Sequence, residues 1–361
     1  MGPLVAHSYL SVFRGKRVLV TGHTGFKGTW LVLALHSLGA EVMGYSLPPV
    51  NQDCHFGRLN LEKSIRHITA NICDGDRLML EIAAFQPEIV FHLAAQALVR
   101  PSYKDPKTTF DVNVGGGINL LEAVRLCDSV RSLVFITSDK CYENLEWIWG
   151  YRESDTVGGH DPYSASKGAV EIIFSAYLRS YFRQRAHFGA ATARAGNVIG
   201  GGDWAEDRII PDCIRSAQAG KPIIVRNPNA TRPWQHVLEP IAGYLKLAAN
   251  LYEHGHVFDG PWNFGPQVGN VRTVLDVAKF VSARYGSSID VDDRPQDKMH
   301  EAHLLQLNSD KARQFLQWDT RWSFDQTMEA TVSWYRSVLI DRKTAISISL
   351  EQLSQYFGVQ F

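Results

Sequence analysis

Residues 17–28 read RVLVTGHTGFKG, and this stretch decides the fold. A β-branched run ends at Gly22, further glycines follow at Gly25 and Gly28, and an apolar helical pattern comes next. Strand, glycine turn and helix in this order are what a dinucleotide fingerprint requires. Gly22 permits the tight turn, Gly25 the close approach of a pyrophosphate, and Gly28 the packing of helix on strand. The stretch predicts a nucleotide-binding β-α unit, with glycines that serve only a tight turn as the alternative.

Length and composition favour a large enzyme without a nucleic-acid, membrane or metal partner. The 361 residues suit one α/β unit with an appended lobe. The 37 basic and 37 acidic residues balance, without the basic run that a phosphate backbone needs. The N-terminus lacks a signal-peptide pattern, and no apolar stretch approaches the ~20 residues of a membrane span. Five cysteines without metal-ligand spacing predict free thiols in the cytoplasm: Cys54, Cys73, Cys127, Cys141 and Cys213.

The second predicted strand, 41–46, lacks the acidic residue that usually holds the adenine ribose of NAD at its end. Tyr45 or Ser46 takes that place here. The missing carboxylate, together with Lys27, would tolerate the 2′-phosphate of NADP, but no arginine follows to clamp it. The sequence therefore leaves NAD and NADP both open.

A third predicted strand near 66–72 leads to Ile72 and Asp74, which we expect to face the adenine. A helix N-cap is an equally good interpretation of Asp74. The next strand, 88–96, is nearly all apolar and ends in small residues, as a buried parallel strand does where it must admit a ligand. Asn113 lies in the helical region that follows, either as a structural amide or as a group that orders an active-site water.

Candidate catalytic residues follow the predicted strand 132–137. Ser138, Asp139 and Lys140 come at its carboxyl end, where open α/β sheets place their ligands. On the next helix, Tyr163 and Lys167 are four residues apart and share a face. The cation there favours the phenolate and predicts Tyr163 as a general base. A solvated helix face is the alternative for a Tyr-Lys pair alone.

Between these groups lies an aromatic insertion, 145–153, with Trp147 and Trp149. It is either a wall of a substrate pocket or part of the core.

The pattern changes after a glycine-rich turn at 197–204, which we expect to be irregular. Helices are predicted at 208–219, 236–251, 273–285, 309–317, 325–339 and 349–357, with short strands at 222–225 and 262–265. We therefore predict an α/β fold with a Rossmann-type doubly wound parallel sheet and a smaller C-terminal α+β substrate lobe. The predicted sheet domain is 13–196 plus about 235–255, and the predicted lobe is 197–234 and 256–361.

Several motifs resemble the extended short-chain dehydrogenase/reductase family over nearly the whole chain. GHTGFKG, HLAAQ and YSASK are shared by many sugar-nucleotide epimerases and dehydratases, whereas ITSDKCYEN, EWIWGYRE, RAGNVIGGGDW and RPWQHVLEP resemble CDP-glucose 4,6-dehydratases. The resemblance implies a homodimer that binds NAD and CDP-glucose. It also implies an internal redox cycle: oxidation at C4, loss of water across C5 and C6, and reduction at C6.

The same resemblance implies residue roles. Tyr163 takes the C4 hydroxyl proton, aided by Lys167, and Ser138 binds that hydroxyl. Asp139 is the acid and Lys140 the base of the elimination, or Lys140 is an electrostatic partner of Asp139. The implied cofactor residues are Gly22, Thr24, Gly25, Phe26, Lys27, Gly28, Ser46, Ile72, Asp74, Ala94, Ala95, Gln96, Thr137, Tyr163 and Lys167. The implied substrate residues are Asn197, Arg208, Arg232, Asn263, Arg294 and His300, with surface salt bridges as the alternative for the arginines.

Two other functions remain compatible with the sequence. A nucleotide-sugar 4-epimerase would use Tyr163 and Lys167 but neither Asp139 nor Lys140. A catalytically inactive NAD(P)-binding scaffold would have kept only the fold, and the presence of Tyr163, Lys167, Asp139 and Ser138 argues against it.

Overall fold

The computed structural model describes residues 8–266, 271–292, 304–341 and 344–361. Its strands are β1 (Arg17–Thr21), β2 (Glu41–Ser46), β3 (Arg66–Thr69), β4 (Ile89–His92), β5 (Ser132–Ile136), β6 (Gly189–Ala195), β7 (Val198–Ile199), β8 (Ile223–Val225), β9 (Thr231–Pro233), β10 (Gln235–His236), β11 (Gly260–Phe264), β12 (Val271–Thr273) and β13 (Ile289–Val291). Its helices are α1 (Phe26–Ser37), α2 (His55–Leu59), α3 (Gly75–Phe85), α4 (Val99–Lys104), α5 (Pro106–Phe110), α6 (Gly116–Arg125), α7 (Pro162–Ser180), α8 (Ile209–Gln218), α9 (Leu238–His254), α10 (Val274–Tyr285), α11 (Asp310–Leu316), α12 (Phe324–Leu339) and α13 (Ala345–Phe357).

Seven parallel strands form the main sheet in the order β11-β6-β5-β4-β1-β2-β3. The chain runs outward from β1 through β2 to β3, and then returns to place β4 on the other side of β1. This reversal opens a crevice at the carboxyl ends of β1 and β4, where doubly wound sheets bind ligands. The predicted α/β fold with a Rossmann-type sheet is confirmed.

The core lies on both faces of this sheet because successive side chains of a strand point to opposite sides. Val18 and Val20 pack into one apolar cluster, whereas Leu19 packs into the other. The middle of helix α1, residues 30–35, is apolar on every side and at most 1% exposed at each residue. A helix of this composition is stable only when it is enclosed, and α1 is held by the Trp30 indole, which donates to the Gly201 carbonyl at 2.9 Å.

One predicted boundary is wrong. The predicted boundary at 256 places residues 260–264 in the lobe. In the structure these residues form β11, which pairs in parallel with β6: Gly260 lies opposite Ala191, and Phe264 lies opposite Ala195. These residues are therefore the seventh strand of the main sheet. The sequence predicts this short run as part of the lobe because its pairing with β6 is not visible in local sequence.

Residues after β6 form three small two-stranded sheets. The pairs β8 with β13 and β9 with β12 lie beside α10, whereas β7 with β10 lies beside α9 and α12. The turn at 197–204 is less irregular than predicted, since Val198 and Ile199 pair in parallel with Gln235 and His236. No helix in the described part of the chain is long and apolar enough to cross a membrane. No cluster of metal-ligating side chains occurs among those residues either.

Candidate active site

The glycine turn brings the carboxyl ends of β1 and β4 into contact. Gly22 has a φ of 70°, in the left-handed region, and a Cβ there would lie 2.6 Å from the Ala94 nitrogen. A Cβ on Gly28 would lie 2.2 Å from the Gly22 carbonyl oxygen, so the first turn of α1 packs directly on the loop. Gly25 is exposed and precedes α1 as its extended N-cap residue. The amino end of α1 therefore faces the crevice with open backbone, as an anion-binding helix terminus does.

Ser46, rather than Tyr45, occupies the end of β2 beside this turn. Ser46 Oγ lies 2.7 Å from Thr24 Oγ1, which donates to the Leu47 carbonyl at 3.1 Å. Tyr45 points into the core and donates from its hydroxyl to the Asn71 carbonyl at 3.2 Å. The place usually taken by an acidic residue thus holds a small hydroxyl group.

The structure supports the N-cap interpretation of Asp74. Its Oδ1 accepts from the Arg77 amide at 3.0 Å and caps α3. Ile72 is 5% exposed, and its Cγ2 would lie 2.6 Å from a Cβ on Gly116. Any adenine contact of this pair remains a prediction.

The loop after β4 is held by side-chain hydrogen bonds. Thr21 Oγ1 accepts from the Ala94 amide at 3.2 Å. Asn113 Oδ1 accepts from the Gln96 amide at 2.8 Å, and its Nδ2 donates to Ser166 Oγ at 2.8 Å. The structural interpretation of Asn113 is therefore the better one, and its π-helical turn, Asp111–Gly115, is the kind of irregularity often found near functional sites. Ala94, Ala95 and Gln96 are half-buried beside the crevice.

Ser138, Asp139 and Lys140 lie at the carboxyl end of β5, as predicted. Ser138 Oγ donates to Asp139 Oδ1 at 3.0 Å and accepts from the Lys140 amide at 3.3 Å. Asp139 is 6% exposed, and burial raises the pKa of its carboxyl although Lys140, Ser138 and Lys27 each act to lower it. A carboxyl group in this environment is suited to hold and deliver a proton.

Tyr163 and Lys167 are 7% and 4% exposed at the amino end of α7, which Asp161 caps. Burial raises the pKa of Tyr163 to about 12, against the Ser138 hydrogen bond and the charge of Arg208, which lower it. Burial lowers the pKa of Lys167 to about 8. The expectation of a phenol pKa depressed by Lys167 is therefore not met by the protein alone, because desolvation of the phenolate prevails.

Two more cations approach this pair from other elements. Lys27 extends from α1, and burial lowers its pKa to about 8, with Arg208 and Lys167 lowering it further and Asp139 and Asp203 opposing. Arg208 is the N-cap residue of α8 and forms a salt bridge with Asp203, with 2.8 Å between Nη1 and Oδ2. The carboxyl end of β5 thus faces a positive environment suited to an anionic ligand.

Of the other predicted substrate residues, the structure describes some and not others. Asn197 is half-buried next to Gly196, whose Cβ would lie 3.2 Å from Asp139 Oδ2. Arg232 lies in β9 and donates to the Thr231 carbonyl at 2.9 Å. Both remain candidates. Arg294 and His300 lie outside the described residues.

The substrate-binding role predicted for Asn263 is wrong. Its side chain is 0% exposed, and its Oδ1 accepts from the Tyr142 hydroxyl at 2.8 Å. Its Nδ2 donates to the carbonyls of Tyr151 and Asn308 at 2.8 and 3.0 Å. The amide is thus buried and occupied by the protein, and it ties β11 to the aromatic insertion.

The core interpretation of the insertion fits Trp147. Its ring packs on Tyr151 with centroids 5.0 Å apart, and Tyr151 stacks on Tyr142 at the same distance, so the three rings form a small satellite core. Trp149 is 67% exposed, and the substrate-wall interpretation stays a prediction for this residue.

Sequence reasoning missed a buried ion pair behind the site. Arg194 of β6 and Glu171 of α7 are joined by Nε to Oε1 at 2.9 Å and Nη2 to Oε2 at 2.8 Å. Thr137, predicted as a cofactor residue, donates its hydroxyl to Glu171 Oε1 at 2.5 Å. The position of Glu171, four residues beyond Lys167, was a signal available in the sequence.

The parallel sheet, the glycine turn and the buried Tyr-Lys pair define a protein of the short-chain dehydrogenase/reductase class. The chain belongs to the family whose sequence model is described as GDP-mannose 4,6 dehydratase, which matches residues 19–331. A CDP-glucose 4,6-dehydratase of Salmonella typhimurium is 44% identical over 354 residues, covering 96% of this chain and 97% of that protein.

Solved structures share the fold. An epimerase of Methanothermobacter thermautotrophicus superposes with a TM-score of 0.80 at 23% identity, covering 95% of this chain and 99% of that one. A UDP-glucose 4-epimerase of Thermus thermophilus, solved as a complex with NAD, has a TM-score of 0.77 at 26% identity and covers 90% of this chain and 100% of its own.

Proposed function

We propose that the protein is an NAD-dependent CDP-glucose 4,6-dehydratase that converts CDP-D-glucose to CDP-4-keto-6-deoxy-D-glucose and water. The relative at 44% identity carries this activity in its name. The single observation that supports elimination is the buried Asp139 carboxyl, held by Ser138 in the same site as Tyr163. A 4-epimerase needs the tyrosine but has no use for a proton donor beside it.

The crevice fits a dinucleotide. Gly22 lets the turn pack directly on the backbone at Ala94, and the exposed backbone at Gly25 precedes a helix whose amino end favours a pyrophosphate. When bound there, NAD would supply the oxidation at C4 and the later reduction at C6, and its oxidised ring would supply a positive charge. Ser46 and Thr24 stand where the adenine ribose is expected.

In the first half of the reaction, Tyr163 removes the proton of the C4 hydroxyl as hydride leaves C4. Ser138 hydrogen-bonds to that hydroxyl and also lowers the pKa of Tyr163. Lys27 and Lys167 add positive charge close to the developing phenolate. These interactions offset the burial that raises the phenol pKa to about 12.

In the second half, the C4 ketone acidifies the C5 proton, which a base removes while Asp139 protonates the departing C6 hydroxyl. Two protons leave, from the C4 hydroxyl and C5, and two return, to the departing hydroxyl and to C5 when C6 is reduced. Lys140 is the base, or it serves as the charge that lowers the pKa of Asp139. Arg208, Asn197 and Arg232 are the groups we assign to the substrate diphosphate.

A substrate panel tests this function. The protein is incubated with NAD and, separately, with CDP-, dTDP-, UDP- and GDP-hexoses, and product is scored by mass and by the base-dependent absorbance of a 4-keto sugar. We expect loss of one water from CDP-glucose without accumulation of reduced cofactor. A product that keeps its C6 hydroxyl would establish an epimerase, and absence of turnover with every sugar would establish a non-catalytic scaffold.

The proposal includes a cytoplasmic homodimer. Described cysteines are all unpaired, which suits a reducing compartment. Helix α7 exposes Ile172 at 61%, and Phe110 at the end of neighbouring α5 is 38% exposed. These apolar side chains support a helix-to-helix interface between two copies, which sedimentation of the protein and of an Ile172→Glu variant would test.

A further inference from the structure

The Glu171 carboxylate is fastened by four hydrogen bonds from two neighbouring strands. Arg194 supplies two of them as a fork, and the side chains of the pair are only 3% and 5% exposed. Thr192, two residues before Arg194 on the same face of β6, donates to Oε2 at 2.8 Å. Thr137, just after β5, donates to Oε1 at 2.5 Å. The carboxylate therefore joins α7 to the ends of β5 and β6.

Glu171 lies on the functional face of α7. Tyr163, Lys167 and Glu171 follow one another at intervals of four residues, so their side chains form one row along the helix. Tyr163, the proposed base, is at the amino end of this row, and Glu171, which is bound to β6 and the end of β5, is at the other end. Any shift or rotation of α7 at Glu171 would move Tyr163 relative to Ser138.

The network also reaches the insertion and the sheet edge. Arg194 Nη1 donates to the Tyr142 hydroxyl at 2.7 Å, and that hydroxyl donates to Asn263 Oδ1 at 2.8 Å. Replacing a buried ion pair with apolar residues of similar volume is often neutral or stabilising, so stability alone is a weak reason for such a pair. Its position behind the Tyr-Lys pair offers a functional reason.

We propose that Glu171 is a positioning residue of the reaction. Its carboxylate fixes α7 against β5 and β6 and supplies the negative charge that keeps Lys167 in its ammonium form beside Tyr163. The kinetic part of this inference rests on the proposed dehydratase function, whereas the charge state of Lys167 does not.

The charges around Lys167 agree with this role. Burial lowers the pKa of Lys167 to about 8, and the negative charge of Glu171 is the largest influence in the opposite direction. From β4, His92 is kept neutral because burial and then Lys167 lower its pKa to about 3. Lys27, from α1, and Lys167 repel each other. Glu171 is thus the main group that stabilises the Lys167 ammonium.

The test is a pH titration of Lys167 in wild type and in Glu171→Gln, followed by isotope-edited NMR of lysine Cε and assigned with Lys167→Met. We expect the midpoint to fall by about one pH unit in Glu171→Gln, since an opposite charge at this spacing shifts a pKa by roughly that amount or more. The alkaline limb of kcat/KM for CDP-glucose should move in the same direction, with kcat more affected than KM.

Glu239→Gln is the matched control. Glu239 is also a buried carboxylate, and it accepts hydrogen bonds from the Trp322 amide at 2.9 Å and from the Tyr356 hydroxyl at 2.6 Å. It lies on the opposite side of the main sheet from α7, the helix that carries Lys167. Its loss should lower stability comparably and leave the Lys167 midpoint where it is in wild type.

A double variant separates charge from structure. Glu171→Gln with Arg194→Met removes the guanidinium that the single variant leaves buried without its partner, so stability should recover relative to Glu171→Gln. The Lys167 midpoint should stay low. A wild-type midpoint in either Glu171 variant would overturn the proposal. Failure of the proposed function would look different, because wild type would then lack dehydratase activity while its Lys167 titration still responded to Glu171.

Discussion

At the scale of single residues, replacing Asp139 and Lys140 should allow the two halves of the proposed reaction to be measured separately. We expect Asp139→Asn with Lys140→Met to reduce bound cofactor from CDP-glucose, because Tyr163 and Ser138 still act at C4. Release of 4-keto-6-deoxy product should fall by about 10²–10⁴-fold, which is the usual contribution of general acid-base catalysis. Rapid-mixing absorbance of the reduced nicotinamide and mass analysis of the product measure the two halves.

Tyr163→Phe is the reference for this experiment. It removes the proposed base of the first half, so neither reduced cofactor nor product should form. Unimpaired product release by the double variant would contradict the roles of Asp139 and Lys140.

The residues that sequence could locate are those defined by short spacings. Tyr163 and Lys167 follow from the geometry of one helix, and Ser138 and Asp139 from the end of one strand. The predicted role of Asn263 is wrong because its partners, Tyr142 and Tyr151, are more than a hundred residues away. The predicted lowering of the Tyr163 pKa fails for a related reason, since burial depends on all surrounding elements.

At the scale of elements, the amino end of α7 is the one that the site depends on most. Asp161 caps this helix end. Its Oδ1 accepts a hydrogen bond from the Ser164 amide at 3.0 Å, and its Oδ2 accepts one from the Ser164 hydroxyl at 2.6 Å. Asp161→Ala should lower the free energy of unfolding by about 1–2 kcal/mol and reduce kcat, because Tyr163 lies in the first turn of the helix. Urea unfolding and steady-state kinetics measure the two effects.

Ser323→Ala is the control for this prediction. Ser323 caps α12 in a capping box and accepts from the Gln326 amide at 3.3 Å. Its loss should lower stability by about 1 kcal/mol without a change in kcat. An equal effect of both variants on kcat would show that general loosening, and not the position of Tyr163, is responsible.

Elements with strong local patterns were predicted almost to the residue. The strands 17–21 and 41–46 and the turn between strand and α1 depend on β-branched residues and glycines that are adjacent in sequence. The pairing of β7 with β10 and the place of β11 in the main sheet depend on contacts across tens of residues. Short strands of two to five residues carry too little pattern to reveal such partners.

At the scale of the whole molecule, buried neutral histidines determine how the protein responds to acid. Burial lowers the pKa of His23, His55, His92 and His236 to about 3 each. The unfolded chain therefore binds more protons than the folded one between about pH 3 and the usual histidine pKa of ~6.5. Stability rises with pH across this window and is lost as pH falls through it. Glu239 acts in the opposite direction, because burial raises its pKa to about 7. Burial also raises the pKa of other carboxyls, which act in the same direction as Glu239: Asp139, Glu153, Asp212 and Asp259.

We expect the free energy of unfolding to fall in acid, because the histidines outweigh the carboxyls. At one pH unit below 6.5, each such histidine lowers the free energy of unfolding by about 1.4 kcal/mol, and four of them exceed the stabilisation from protonating one glutamate. Urea unfolding at pH 7.5 and 5.5 should show a loss of several kcal/mol in the wild type. The loss should be smaller in His55→Gln, which keeps a polar group near the Ser349 hydroxyl, 3.1 Å from His55 Nε2, but cannot take up a proton. Equal losses in the two proteins would exclude His55 as a source of the acid sensitivity.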